Sequence, residues 1–356
     1  MNQILRNFII LFLSTSLLLA CRDDNSKREE QPKETQNKEI PFAIVIHGGA
    51  GTIKKEYITP EKEAEITQKL QEALDAGYQV LENGGTSLDA AQKAVNVMED
   101  SPLFNAGKGA VFNSNGKNEM DASIMDGKTL NAGAVAGVFN IRNPINAARL
   151  VMDSIKHVML SGKGAEAFAK EHNLQFEDEK YFYTERRWNS LQKVKENAGE
   201  KVLSKSALNL KTDFVDEHKY GTVGAVALDK NGNIAAATST GGMTNKKYNR
   251  IGDSPIIGAG TYANNKSCGI SSTGTGEYFI RTLAAHEVSD LFSYKSLSLK
   301  ESIHEVIFNQ IEPLGGDGGM IGLDKDGNVA WDFNTAGMYR GYKRSSGENV
   351  VKLYSD

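Results

Sequence analysis

The chain has 356 residues, of which 40% are hydrophobic and 24% are charged, and its formal net charge is −4. This length suits one large domain or two ordinary ones, and the composition is that of a soluble globular protein. The charge argues against a nucleic-acid partner, which would need a basic face. The histidines and the two cysteines lack the spacing of a transition-metal site, so we expect Cys268 to be a small buried hydrophobe.

Residues 1–20 have the pattern of an export signal, in which Arg6 is followed by an apolar run. This run is shorter than a typical transmembrane helix. The run ends in Leu18-Leu19-Ala20-Cys21, which resembles a bacterial lipobox. We therefore expect an exported, membrane-anchored lipoprotein on the periplasmic or cell-surface side, with Cys21 acylated. The alternative is a plain signal peptide with a chance cysteine.

The polar segment that follows the cysteine contains no hydrophobic residue between positions 22 and 39. Such a segment cannot bury enough surface to offset its ordering entropy, so residues 21–39 are predicted to form a disordered tether. We expect the folded body to begin near Ile40.

The first half of the body alternates between strand and helix patterns. Residues 40–46 predict a buried strand that ends in a glycine-rich loop at 47–51. Apolar periodicity predicts helices over 61–76 and 87–100, and the small residues of 132–138 predict a tightly packed strand.

The second half begins after a charged stretch, in which we predict a mobile surface linker from Asn189 to Tyr220. Beyond it, strands at 222–229 and 234–240 predict a hairpin, and 323–330 is a near copy of its turn region. Two such hairpins fit one antiparallel sheet. The remaining patterns predict helices over 277–291 and 298–311, the second opening with a Ser298/Glu301 capping box.

Thr222 stands in a setting that suggests nucleophilic chemistry. Gly221 precedes it, the polar linker precedes that, and a strand follows at once. Cleavage between these two residues would place a free α-amine beside the hydroxyl, and such an amine has a pKa near 7.7–8.0. It could then act as general base for its own hydroxyl, with no histidine required.

At this point the chain resembles the isoaspartyl peptidase and plant-type L-asparaginase family of N-terminal-nucleophile hydrolases, over roughly residues 40–342. The resemblance lies in motifs at 47–51 (HGGAG), 102–107 (PLFNAG), 120–122 (MDA), 221–229 (GTVGAVALD), 237–246 (ATSTGGMTNK), 250–255 (RIGDSP) and 273–277 (TGTGE). It implies an α+β fold, a four-layer αββα sandwich. It also implies one domain cut into an α subunit, 40–221, and a β subunit, 222–356. The mobile linker predicted at the end of the α subunit, 189–221, has no match in the family.

The resemblance assigns a role to each matching position. Thr222 corresponds to the nucleophile and Thr240 to the threonine that orients it. Thr273 and the Gly274 amide correspond to the oxyanion hole. The remaining matches are substrate or active-site contacts: Arg250 for the α-carboxylate, Asp253 for the α-ammonium, Gly276 for the amine end, and Asn105 beside the nucleophile. Taken singly, these residues fit plainer roles, with Arg250 and Asp253 as a surface i,i+3 pair and the threonines as strand formers.

The resemblance also implies a structural sodium ion, no cofactor for catalysis, and assembly of two αβ pairs. The sodium loop would use backbone carbonyls of Met98, Glu99, Ser101, Phe104, Ala106 and Lys108. The lipobox and tether are additions to the family's common cytoplasmic form.

Together these features predict an autoprocessing threonine amidohydrolase that acts on small-molecule substrates. We expect it to cleave β-aspartyl dipeptides and L-asparagine and to release L-aspartate. The alternatives are a glycosylasparaginase, which cuts the sugar–asparagine link, and a non-catalytic lipoprotein that binds amino acids.

Overall fold

Two β-sheets lie face to face, and helices cover the outer face of each, as the predicted αββα sandwich requires. The computed structural model describes residues 41–199 and 221–355. The predicted signal, acylated Cys21 and tether lie outside the described residues, and so does most of the predicted linker. Within the described part, no helix is long and apolar enough to cross a membrane.

The larger sheet has eight strands in the order β12-β11-β1-β5-β6-β2-β3-β4. Its central strands β1, β5, β6 and β2 pair antiparallel and bring distant parts of the sequence side by side. The bounds of the eight strands are β1 Ala43–Gly51, β2 Met120–Asp126, β3 Ala132–Val138, β4 Met159–Ser161, β5 Thr222–Leu228, β6 Ile234–Thr240, β11 Gly337–Arg344 and β12 Asn349–Tyr354.

The smaller sheet has four strands in the order β10-β9-β8-β7, all antiparallel to their neighbours. It packs against the centre of the larger sheet, where β8 and β9 lie over β1, β5 and β6. Its strands are β7 Thr261–Ala263, β8 Cys268–Gly274, β9 Gly318–Asp324 and β10 Val329–Phe333.

Helices α1 to α4 cover the larger sheet, and α8 and α9 cover the smaller one. The α-helices described are α1 Pro60–Glu82, α2 Ser87–Glu99, α3 Pro144–Ser154, α4 Gly162–Glu171, α5 Glu179–Phe182, α6 Glu185–Asn197, α7 Gly276–Thr282, α8 Ala284–Tyr294 and α9 Leu299–His304. Helix α9 continues as π-helix over Glu305–Ile311, and short 3₁₀ turns occupy Lys55–Tyr57, Gly107–Gly109 and Glu312–Leu314.

Strand alternation divides the interior into three apolar layers. In β5, Val223 and Ala225 pack toward the helices, whereas Val226 and Leu228 pack between the sheets. Because successive side chains point to opposite faces of a strand, Thr222 shares the inter-sheet face with Val226. The nucleophile candidate therefore lies at the open edge of the layer between the two sheets.

Several sequence predictions are confirmed. The hairpin of β5 and β6 forms with Thr222 opposite Thr240, β3 spans the predicted residues 132–138, and Cys268 is a buried hydrophobe. The capping box also forms, since the Ser298 hydroxyl accepts from the Glu301 N–H and the Glu301 carboxylate accepts from the Ser298 N–H.

The prediction that both hairpins share one sheet is wrong. The hairpin of β5 and β6 lies in the larger sheet, and the hairpin of β9 and β10 lies in the smaller one. Their turns are nevertheless alike, because the Oδ1 of Asp229 and that of Asp324 each accept two N–H groups from the residues that follow. The repeated sequence pattern therefore predicts the turn, but it does not predict which sheet the hairpin joins.

The single helix predicted over 277–291 is also wrong, because the chain breaks at Leu283. This residue adopts left-handed φ and ψ of +49° and +44° between α7 and α8. The amides that follow it, Ala285 N and His286 N, donate to the carbonyls of Ala259 and Gly258. These tertiary hydrogen bonds replace the ones that a continuous helix would make.

The predicted surface linker begins too early. Residues 189–197 belong to α6, which starts at a Thr184 cap and buries Leu191 completely. The Lys195 ammonium of the same helix donates to the Ser114 carbonyl. Because this stretch is highly charged, its sequence did not indicate the helix, which packs on one side only. The linker prediction is therefore wrong for these residues.

The predicted glycine loop at 47–51 is a continuation of strand β1. The strand keeps its pairing to β11 through Gly51, with a bulge between His47 and Gly49. Gly49 has φ +113°, which an L side chain rarely adopts. The bulge lets the strand pass through the site without ending there.

Candidate active site

Thr222 and Thr240 form a hydroxyl pair at the adjoining ends of β5 and β6. The two residues are directly opposite in the ladder, and the Thr222 Oγ1 donates to the Thr240 Oγ1 at 3.0 Å. The Thr240 Oγ1 also accepts the Gly242 N–H at 3.0 Å. Both threonines are almost fully buried, so the pair is held in one geometry, as the sequence roles require.

Gly221, the residue before the nucleophile candidate, is enclosed on two sides. A β-carbon added to Gly49 would lie 2.7 Å from the Gly221 Cα and 3.3 Å from the Thr222 N. A β-carbon added to Gly221 would lie 3.0 Å from the Asn105 Cβ. Glycine at both positions therefore lets the strand bulge and the peptide bond before Thr222 approach within contact distance.

Asn105 lies beside Gly221 in this site. Its amide Nδ2 donates to the Gly242 carbonyl at 2.8 Å, while its Oδ1 accepts from the Val111 N–H at 2.9 Å. These contacts fix which end of the amide is nitrogen. Asn105 thereby ties its own loop to the turn that follows Thr240.

Thr273 and Gly274 approach from the smaller sheet, at the end of β8. Thr273 is fully buried, and its Oγ1 accepts from the Ala50 N–H at 3.4 Å. Ala50 follows the bulge that contacts Gly221. A side chain at Gly274 would meet the Asp317 carbonyl oxygen at 2.4 Å, so only glycine fits there.

Asp253 is a buried carboxylate with one unsatisfied oxygen. It is 4% exposed, and its Oδ2 has no hydrogen-bond partner in the described part of the chain. Burial raises the pKa of Asp253 to about 7, although the nearby Arg250 charge opposes the shift. A β-carbon added to Gly276 would lie 2.7 Å from the Asp253 Oδ1. A buried carboxylate of this kind gains stability when a cation binds beside it.

Arg250 does not pair with Asp253 in a surface i,i+3 arrangement, as the plainer interpretation required. Its guanidinium makes a two-pronged contact with Glu277, with Nε and Nη2 at 2.8 and 2.7 Å from the two carboxylate oxygens. Glu277 is about half exposed, whereas Arg250 is mostly buried. Glu277 thus occupies the Nε and Nη2 edge and fixes the plane of the guanidinium, so a second carboxylate binding at Arg250 would use the Nη1 side or displace Glu277.

We expect Arg250→Lys to leave the fold intact and to lower kcat/KM on β-aspartyl substrates by about tenfold or more, because lysine cannot reproduce the planar fork. Steady-state kinetics measure the loss, and thermal unfolding of the same sample checks the fold. Wild-type kcat/KM in a folded variant would remove Arg250 from the substrate site.

A buried polar chain lies directly below the candidate catalytic threonines, between the sheets. The members are joined by short contacts: Ser123 Oγ to the Ser254 carbonyl, 2.6 Å; Ser123 Oγ to Thr261 Oγ1, 2.8 Å; Thr261 Oγ1 to Thr238 Oγ1, 2.6 Å; Thr238 Oγ1 to Ser271 Oγ, 2.7 Å; and Ser271 Oγ to His47 Nε2, 2.9 Å. Thr238 and Ser271 each stand two residues before a catalytic threonine on the same strand. The chain therefore forms the floor of the site.

His47 is the largest member of this polar chain, and it is fully buried. Burial lowers the pKa of His47 to about 3, so the imidazole is neutral at physiological pH. Its Nε2 lies 2.4 Å from the place a β-carbon of Gly224 would occupy. The ring also makes a hydrogen bond with the backbone of Thr222, which partly offsets the lowering of its pKa. His47 thus supports the strand that carries the nucleophile candidate.

In the predicted sodium loop, two backbone carbonyl oxygens lie close to Gly107 and Gly109. A β-carbon added to Gly107 would lie 2.3 Å from the Glu99 carbonyl oxygen, and one added to Gly109 would lie 2.0 Å from the Phe104 oxygen. Oxygen donors of this kind suit a hard cation. No cluster of three or more His, Cys, Asp or Glu side chains suited to a metal occurs among residues 41–199 and 221–355.

Sequence reasoning missed two features of the site. Glu277 lay within a recognised motif, yet its contact with Arg250 joins residues 27 positions apart, and nothing in the local pattern signals it. The polar chain left a weak signal, since serine and threonine recur on the inter-sheet face of β6 and β8. Strand alternation alone could have placed them beneath the catalytic residues.

The comparisons with known proteins agree with this geometry. A family model described as asparaginase matches residues 40–352. The chain is 47% identical over 313 residues to the isoaspartyl peptidase of Escherichia coli strain K12, covering 88% of this chain and 96% of that protein. It is equally similar to the isoaspartyl peptidase of Salmonella typhimurium, with 88% and 98% covered.

A plant-type L-asparaginase of Pyrococcus furiosus is 43% identical over 297 residues, covering 83% of this chain and 94% of that protein. The family model spans most of the chain, and these relatives match over nearly their whole length. Taken with the paired threonines at the ends of β5 and β6, these matches show that the chain belongs to the asparaginase family, which includes these isoaspartyl peptidases and the plant-type L-asparaginase.

Proposed function

We propose that this protein is a self-cleaving threonine amidohydrolase that releases L-aspartate from β-aspartyl dipeptides and from L-asparagine. The observation that carries the proposal is the Thr222–Thr240 hydroxyl pair, which stands at the start of a strand, directly after the enclosed Gly221. The names of the relatives support the same substrates.

In the first reaction the chain acts on itself. The Thr222 Oγ attacks the Gly221 carbonyl carbon, and the bond from that carbon to the Thr222 nitrogen breaks. The hydroxyl proton passes to the departing nitrogen, and an ester forms between the two residues. Water then hydrolyses the ester. The products are a carboxylate on Gly221 and a free amine on Thr222, which supplies the general base for later turnovers.

In the second reaction the same hydroxyl attacks the side-chain carbonyl carbon of the substrate. The Thr222 amine takes the hydroxyl proton and passes it to the departing nitrogen, leaving a β-aspartyl ester on Thr222. Water attacks this ester and releases aspartate. Arg250 would hold the substrate carboxylate, Asp253 its ammonium, and Thr273 with the Gly274 amide the negative charge that develops on the carbonyl oxygen.

The isoaspartyl peptidase and asparaginase activities are favoured over a glycosylasparaginase and over a non-catalytic binding lipoprotein. The relatives named above are hydrolases of isoaspartyl peptides or asparagine, and a protein that only bound amino acids would need no paired hydroxyls beside Gly221.

Purified protein incubated to completion should give a fragment that starts at Thr222 by intact-mass spectrometry. The same sample should hydrolyse β-Asp-Leu and L-asparagine in preference to N-acetylglucosaminyl-asparagine. A folded, uncut chain without activity would overturn the proposal, and a preference for the glycosylated substrate would favour the glycosylasparaginase.

We also propose that a sodium ion orders the loop around Gly107 and Gly109, and that two cleaved αβ pairs assemble. The ion would hold the loop through backbone carbonyls and take no part in the reaction. Size exclusion of the cleaved protein measures the assembly, and elution at the mass of one pair would refute it.

The N-terminal segment leads to a proposal about location. Replacing Cys21 by serine removes the thiol that would carry the acyl chain, and a buried lipid contributes about 0.8 kcal/mol of membrane affinity per CH₂. We expect the variant to leave the membrane fraction of cells that export the wild type. Unchanged partition after fractionation would contradict the lipobox assignment.

A further inference from the structure

A cavity of about 280 Å³ opens beside the peptide bond that precedes the nucleophile. Gly49, Asn105 and Gly221 form its inner end, and these are the residues in closest contact around that bond. Its outer wall comes from the segment after β1 and from the first turns of α1. None of the residues assigned to the aspartyl half of the substrate lines it.

This position places the cavity on the side of the departing nitrogen. In the proposed reaction that nitrogen takes its proton from the Thr222 amine, so the two must lie within about 3 Å of each other. Gly49 lines the cavity, and a β-carbon placed on Gly49 would lie 3.3 Å from the Thr222 N. After self-cleavage the space held by Gly221 would join the cavity to the reacting bond.

The walls of the cavity combine apolar surface with positive charge. Its apolar side chains are Ile53, Tyr57, Ile58, Ile66, Leu103, Phe104 and Tyr339. Three cations, Lys62, Arg186 and Arg187, line it as well, and among residues 41–199 and 221–355 no aspartate or glutamate does. Lys62 also pairs with Glu65, which lies outside the lining. Such a wall matches a small molecule with one apolar group and one carboxylate.

We propose that this cavity is the leaving-group subsite, which binds the C-terminal amino acid of a β-aspartyl dipeptide. The apolar side chain of that amino acid packs against the isoleucines, and its free carboxylate faces Lys62 and Arg186. The inference rests on the proposed hydrolase function and adds the substrate class: dipeptides with an apolar second residue. Asparagine releases ammonia and leaves the cavity unused.

The first test fills the cavity. Ile58 is part of its wall and has extended backbone, so Ile58→Trp is compatible with the local chain. We expect kcat/KM on β-Asp-Leu to fall at least about tenfold, with kcat/KM on L-asparagine changed less than about twofold. Val158→Trp, at a half-exposed site outside the cavity, is the matched control and should change neither value.

Two outcomes would overturn the subsite: equal losses on both substrates in Ile58→Trp, or no loss on either. Failure of the proposed function is a separate result, in which the unmodified protein hydrolyses neither β-Asp-Leu nor L-asparagine. In every variant, hydrolysis of L-asparagine requires a folded chain, self-cleavage and an intact site for the aspartyl half of the substrate. The asparagine assay therefore controls for all three.

The second test addresses the carboxylate. Wild type should prefer β-Asp-Leu over its C-terminal amide, and the Lys62→Met/Arg186→Met double variant should lose about two- to fivefold or more of that preference. Lys69→Met is the control, because Lys62 and Lys69 make the same i,i+3 contact with a glutamate on α1. An unchanged preference in the double variant would show that the cationic wall does not bind the leaving group.

Discussion

Replacing Thr222 by alanine will leave one uncut chain and reduce hydrolysis to the background of the assay, a loss on the order of 10⁴-fold or more. The substitution removes the only atom that the proposal assigns to both attacks, the Oγ1 that lies 3.0 Å from the Thr240 hydroxyl. Intact-mass spectrometry and a coupled aspartate assay measure the two losses on the same sample.

Thr222→Ser is the matched control, because serine keeps the hydroxyl and the amine that cleavage would free. We expect it to cleave itself and to hydrolyse β-Asp-Leu more slowly than wild type, since serine lacks the methyl group that restricts the χ1 rotation of threonine. Self-cleavage of Thr222→Ala at the same bond would disprove the assignment of the nucleophile.

Asp253→Asn will lower kcat/KM by about a hundredfold or more and will make the fold more stable above neutral pH. The first effect follows because the substrate ammonium loses its charged partner in a buried site. The second follows because burial raises the pKa of Asp253 from 3.8 to about 7. Denaturant unfolding across the pH range measures the second effect.

The sign of the stability effect is set by the raised pKa. The protonated carboxyl fits the buried site, so its contribution to stability is complete below pH 3.8 and is lost as the pH rises through about 7. Asparagine has no proton to lose, so the variant should match wild type near pH 4. At about 1.4 kcal/mol per pKa unit, its advantage should reach a few kcal/mol above pH 7.

Glu99→Gln separates the two effects. Burial also raises the pKa of Glu99 to about 7, but its carboxylate accepts from the Ser239 hydroxyl and the Ile145 N–H on the helix side of the larger sheet. We expect a similar stability gain with most of the activity retained. If Asp253→Asn kept wild-type kcat/KM, the ammonium role of Asp253 would be wrong.

Local patterns were enough to predict the parts of the fold that depend on neighbouring residues. The hairpin of β5 and β6 follows from alternation and from the turn at Asp229, whose carboxylate accepts two backbone N–H groups. The Ser298 cap follows from spacing alone. Such features need no knowledge of distant parts of the chain.

The features that could not be predicted depend on contacts between distant residues. The helix break at Leu283 exists because loop carbonyls accept the amides of Ala285 and His286, and α6 is held by its buried face. The ion pair of Arg250 with Glu277 likewise joins two separate motifs. Family resemblance supplied the site residues, but it gave no information about the leaving-group cavity or the polar chain below the threonines.

Each hydroxyl of the polar chain has one proton, and three backbone carbonyls compete with the hydroxyls for these protons. The Ser254 carbonyl can only accept, so it takes the proton of Ser123 or, at 3.3 Å, that of Thr261. When Thr261 donates instead to Thr238, at 2.6 Å, the Thr238 proton goes to the Gly260 carbonyl at 3.2 Å or to Ser271 at 2.7 Å. Ser271 lies 2.9 Å from the His47 Nε2, so the choice made at Thr238 affects the proton next to the imidazole.

Rotation of one hydroxyl in this chain changes which acceptors its neighbours can use, so the protons of Ser123, Thr261, Thr238 and Ser271 are coupled. A methyl group in place of the Thr238 hydroxyl would separate Ser123 and Thr261 from Ser271 and His47. The proton of Ser271 would then be shared only between the Ala237 carbonyl and the imidazole beside the nucleophile strand.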